Sequence, residues 1–186
     1  MSGNQKLFSV TSLLLKLATW FCYFLIAVLT LALGAVVVVS GAALVAPALL
    51  AHLDIPDMPH GVPLLPLLGV ALFGVGGGLI CMIFVLLAVR ATSGIVDTAI
   101  AGDPFVGDNA ERLKRIGWCL LGVMLVQFLT LMAAAAIVPE NLPEGMNLGS
   151  GSEPDAVGLL AILLIFVLAR IFRHGSEMRE ELEGTV

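Results

Sequence analysis

From residue 17 to residue 51 the chain carries no charged side chain. As one helix rising ~1.5 Å per residue, that block reaches ~50 Å, well over the ~30 Å of bilayer hydrocarbon. A stretch that long and that apolar asks for lipid rather than a soluble core. It must tilt, run past the membrane or break, and Ser40-Gly41 and Pro47 are the expected break points. A secretory signal is the rival reading, because Lys6 and Lys16 precede the run and Ala46-Pro47-Ala48 is small. Signal cores hold only ~7–15 apolar residues, which favours an uncleaved anchor.

Composition extends the argument to the whole chain. Of 186 residues, 59% are hydrophobic and 12% charged, where soluble domains carry roughly a quarter charged. The mean hydropathy is +1.06. Four uncharged or nearly uncharged blocks appear, at about 17–46, 64–89, 116–138 and 156–172. Four spans of ~20 residues leave no room for a second core, so 1–186 is one membrane domain. The expected fold is all-α: four transmembrane helices in a bundle, with helices two, three and four extended beyond the membrane. Cys22, Cys81 and Cys119 all lie in apolar blocks and read as buried small hydrophobes.

The connecting segments differ sharply. Residues 52–63 hold three prolines and a glycine, and 139–155 hold no Lys or Arg; both are loops. The second span carries Gly74 and Gly78 at small-x-x-x-small spacing, which lets another helix approach closely. No Lys, Ser or Thr follows that glycine run where a phosphate loop needs one.

The arm between spans two and three is the polar centre of the chain. Past Arg90, the apolar spacing of Ile95, Val96, Ala99 and Ile100 predicts continued helix. Gly102 then stops it as a left-handed cap, and Asp103-Pro104 turns the chain. Asp108 and Glu111 have capping-box spacing for the next helix, which carries Arg112, Lys114 and Arg115 before Trp118 reaches the interface. The fourth span is long enough only if Arg170 snorkels at its end and Ile171 and Phe172 complete it. A charged helical tail follows.

All nine basic residues fall before span one, between spans two and three, or at and after the end of span four. The positive-inside rule places the termini and the arm in the cytoplasm. Ile100, Phe105, Val106, Leu113, Met178 and Leu182 are then expected to share the core of a small cytoplasmic bundle.

Two stretches resemble a known family. GDPFVGDNAERLKRIGW is similar to the Gly-x-Pro-Phe, Asn, Leu-x-x-Ile-Gly pattern of small bacterial four-span membrane proteins catalogued as domain of unknown function 2975. FRHGSEMREELEGTV resembles that family's ending. The matching residues are Gly102, Pro104, Phe105, Asn109, Leu113, Ile116, Gly117, Phe172, Gly175, Arg179, Glu180, Thr185 and Val186. The chain departs at Glu181, where the family often has Asp, and at Gly184, where a larger apolar residue is common. The first half matches by hydropathy alone. The resemblance implies the bacterial inner membrane but no established activity. Some members look to be encoded beside a small helix-turn-helix regulator, which implies a regulatory protein as a partner.

Two readings of the cytoplasmic motif stand side by side. Phe105 and the tail acids Glu177, Glu180, Glu181 and Glu183 form a docking surface, or Pro104 and Phe105 plug the turn while the acids pair with Arg112, Lys114 and Arg115. His52, Asp54, Asp57 and His60 have the donor types of a divalent-ion site but match no ligand spacing, and a solvated loop is expected. Arg90 and Arg170 read as snorkelling cations paired with Asp97 or Glu177. No carboxylate or histidine lies at membrane depth, and Thr30, Ser40, Gln127 and Thr130 are the main polar groups there. That argues against proton-coupled transport. No nucleophile set assembles, His174 reads as a helix-surface residue, and basic density is too low for direct nucleic-acid binding. The expected protein is non-enzymatic, with no catalytic, cofactor or metal residue: a membrane sensor or anchor engaging a regulatory protein. Its partners are the lipid bilayer, that regulator and a second copy of itself. The alternative is a small transporter or channel subunit.

Overall fold

The computed structural model describes residues 3–45, 64–137 and 156–183. These form four helices: α1 (Gly3–Val45), α2 (Leu64–Ile100), α3 (Gly107–Ile137) and α4 (Ala156–Glu183). No strand occurs among the described residues. Each helix is long and apolar enough to cross a membrane, so the chain is a multi-pass membrane protein. The outward surface fits that solvent. Trp20 and Leu31 each expose 76% of their area, which water would penalise and lipid does not.

α1 runs unbroken through Ser40-Gly41 to Val45. Of the alternatives, a break at Ser40-Gly41 does not occur; the Ser40 hydroxyl donates to the Val36 carbonyl at 2.7 Å within its own helix, and Pro47 lies outside the described residues. Thr30 bonds the Ile26 carbonyl in the same way, also at 2.7 Å. These mid-span hydroxyls are satisfied inside their own helix, as the bilayer requires.

The helices pack in chain order, α1 on α2, α2 on α3 and α3 on α4, each antiparallel to the one before. Among the described residues α1 meets neither α3 nor α4. The arrangement is an open row rather than a closed four-helix bundle. The register of the row is set by glycines that accept a side chain from the neighbouring helix. A methyl group added at Gly122 would come within 2.9 Å of the Phe84 ring, and one at Gly117 within 3.0 Å of Phe166. Gly77 lies directly against Thr130. By contrast, nothing lies within 4 Å of where a side chain would start at Gly74 or Gly78. The small-x-x-x-small pair is not the packing point within this chain. One residue is a 100° rotation on a helix, and α2 turns Gly77 to its partner instead.

Cys22 and Cys119 are buried and Cys81 half-buried; all three are free. The Cys81 thiol points to the Val123 carbonyl across the α2–α3 seam, 3.8 Å away. Arg90 sits over the Tyr23 ring of α1, 5.9 Å from its centroid. It is a cation–π contact between α2 and α1, not the pairing with Asp97 or Glu177 expected from sequence.

A candidate docking platform where the arm meets the tail

The α2–α3 turn is built from local rules. Gly102 has φ of +90°, a conformation that a residue with a β-carbon resists. The Asp103 amide donates to the Thr98 carbonyl at 3.1 Å and the Gly102 amide to the Ala99 carbonyl at 3.2 Å. Those two bonds make a Schellman cap and end α2 as the glycine predicts. The start of α3 differs from expectation. Its helix begins at Gly107, so Asp108 already lies within its first turn, and the Glu111 carboxylate pairs with Arg173 of α4 instead of closing a capping box.

Asn109 locks the turn from inside and is fully buried. Its amide nitrogen donates to Thr98 Oγ1 at 2.7 Å and to the Pro104 carbonyl at 2.9 Å. Its amide oxygen accepts from Arg112 at 2.8 Å, and the same Arg112 nitrogen donates to the Gly94 carbonyl at 2.8 Å. Arg112 lies so close across Gly94 that an added methyl would meet its Nε at 2.8 Å. One asparagine thus ties the end of α2, the turn and the start of α3 together, with every donor and acceptor used. No buried side-chain nitrogen or oxygen among the described residues lacks a partner.

α4 docks on this turn. Phe172 packs on Phe105 with ring centroids 5.3 Å apart, and a β-carbon added at Gly175 would lie 3.4 Å from the Phe105 ring. Ser176, buried, donates to the Arg173 carbonyl at 2.8 Å and faces Gly107. Arg173 pairs with Glu111, and Arg179 with Asp103. Six residues earlier on α4, Phe166 meets Trp118 edge-on, centroids 5.6 Å apart.

Several expectations change here. Two pairs run opposite to the expected ones: the tail cations Arg173 and Arg179 reach the arm acids Glu111 and Asp103, while Arg112 turns inward to Asn109 and Gly94. Ile100, Phe105 and Met178 stay 48%, 47% and 51% exposed, so they do not form the expected core. Asn109, Ala110 and Ser176 are the buried set. Small and polar residues win that place because the helices approach too closely for large ones. Leu113 and Ile116 are half-buried and Gly117 is buried. The side chains of Glu180 and Leu182, together with Thr185 and Val186, lie outside the described residues, as do His52, Asp54, Asp57 and His60. His174 is on the surface, 3.7 Å from Glu177. Sequence reasoning passed over Gly94, Thr98 and Ser176 and gave Arg112 to the tail acids; the Asn109–Arg112 spacing of three on one helix was the available signal for its actual partner.

Among the described residues no three His, Cys, Asp or Glu side chains gather as a metal site. The geometry offers instead a rigid turn with an aromatic at its rim and paired charges on both flanks. The two stretches that carry the family resemblance, far apart in sequence, are the ones brought into contact. No curated protein and no solved structure matches the chain. The family described as "Protein of unknown function (DUF2975)" matches residues 46–186, from the end of the first helix onward and well over half of the sequence, and the chain belongs to that family.

Proposed function

We propose that the protein is a non-enzymatic membrane anchor or sensor whose arm–tail platform engages a regulatory protein in the cytoplasm. The termini and the α2–α3 turn share that compartment, the membrane being the bacterial inner membrane. The observation that supports this reading is the state of Phe105. It is held in place by Phe172 and Gly175, yet half of its surface stays open beside the paired charges of Asp103, Glu111, Arg173 and Arg179. A positioned, half-exposed aromatic inside a polar rim is the arrangement of a binding hot spot. Plugging the turn and offering an anchor are then one role. The family resemblance makes a small helix-turn-helix regulator the expected class of partner.

The test is a photo-crosslinking residue at position 105 in the full-length protein, in cells. The expected product is an adduct with a soluble DNA-binding protein, absent from a chain truncated after Gly175. Adducts with lipid only, or with periplasmic proteins, would overturn both the partner and the orientation. Ion flux in proteoliposomes that Phe105→Ala leaves unchanged would favour a transporter or channel subunit.

A further inference from the structure

Beside the platform, α3 and α4 leave an open groove of about 1330 Å³, larger than the ~300–1,000 Å³ clefts that take drug-sized ligands. Its two ends differ in chemistry. Phe166 and Val167 line the end toward the apolar segments, while Lys114, Arg170 and Arg173 line the other. Arg173 is neutralised by Glu111. Lys114 and Arg170 have no acidic partner among the described residues, and the one acid in the lining, Glu177, faces His174. Both cations sit at the edge of the apolar belt: Lys114 stands two residues before Ile116, where the third apolar run begins, and Arg170 directly follows Ala169. Two cations with no acidic partner among the described residues, at the edge of the apolar run above an aromatic and aliphatic wall, match a molecule with an anionic head and hydrocarbon tails.

We infer that this groove holds one anionic phospholipid, its phosphate between Lys114 and Arg170 and its acyl chains along Phe166 and Val167. Phe105, Gly175 and Arg173 of the docking platform also border this groove, but the proposal is carried by Lys114 and Arg170, which the docking role does not use. Basic pockets between spans select anionic headgroups because each cation near the surface adds attraction that a zwitterionic lipid does not return.

The test is native mass spectrometry of the full-length protein in detergent, titrated separately with phosphatidylglycerol, phosphatidylcholine and inorganic phosphate. The expected result is one retained phosphatidylglycerol and no retained phosphatidylcholine. The double variant Lys114→Gln, Arg170→Gln should weaken it roughly tenfold or more. A charge-matched control, Lys16→Gln with Arg115→Gln, should retain the lipid, as should the charge-keeping pair Lys114→Arg, Arg170→Lys. Equal retention of the two lipids, equal loss in the control, or displacement of the lipid by phosphate alone overturns the proposal.

Discussion

Phe105 of the α2–α3 turn and Phe172 of α4 stack with centroids 5.3 Å apart and planes tilted by 30°. Together with the Arg173–Glu111 and Arg179–Asp103 pairs, that contact joins the two motif stretches, and it leaves one ring half open. It makes the turn a presented surface rather than a frayed connection, and the stability of that surface can be tested part by part.

Asn109 is the first part. Asn109→Ala strands the Pro104 carbonyl and leaves Arg112 without its side-chain acceptor. At ~1–3 kcal/mol for a buried group left unpaired, the loss should be roughly 2–3 kcal/mol. Asn109→Asp should be no better, because a carboxylate cannot donate to Thr98 or Pro104. Unfolding titrations in mixed detergent–SDS micelles measure both.

The cap at Gly102 is the second. Gly102→Ala forces a β-carbon into the left-handed region and should cost about 1 kcal/mol, with Gly102→Asn milder because asparagine tolerates that conformation. The same titration ranks them. Equal stability of glycine and alanine here would contradict a φ of +90°.

The glycines of the spans should separate into two groups. Valine at Gly77 or Gly122 must displace Thr130 or the Phe84 ring, and overpacking of this kind costs ~1–3 kcal/mol. Valine at Gly74 or Gly78 meets open space within the chain, so folding should be nearly unchanged. A folding defect at Gly74 would contradict the open space found there among the described residues.

The flanking ion pairs should matter little for stability. Arg173 and Glu111 keep about half of their side-chain surface in contact with solvent, where such pairs contribute ~0.2–1 kcal/mol. A double-mutant cycle with Arg173→Ala and Glu111→Ala should give a coupling in that range that fades at high salt. Their value lies in shaping the rim. The charge swap Glu111→Arg with Arg173→Glu should fold normally yet alter the position-105 crosslink.

Much of this protein was legible in its residues. The number of the spans follows from where charges are missing, since lipid tolerates no long polar run. The stop at Gly102 was equally local, because a left-handed residue at a helix end is set by that residue's own sterics. What the tertiary structure alone decided was which residues meet. Gly77 rather than Gly74 or Gly78 carries the seam, Asn109 rather than Leu113 fills the buried place, and tail arginines answer arm acids 62 and 76 positions away. Each of those outcomes depends on the rotation and sliding of one helix against the next. A shift of one residue turns a side chain by 100°, and no periodicity within a single helix records that angle.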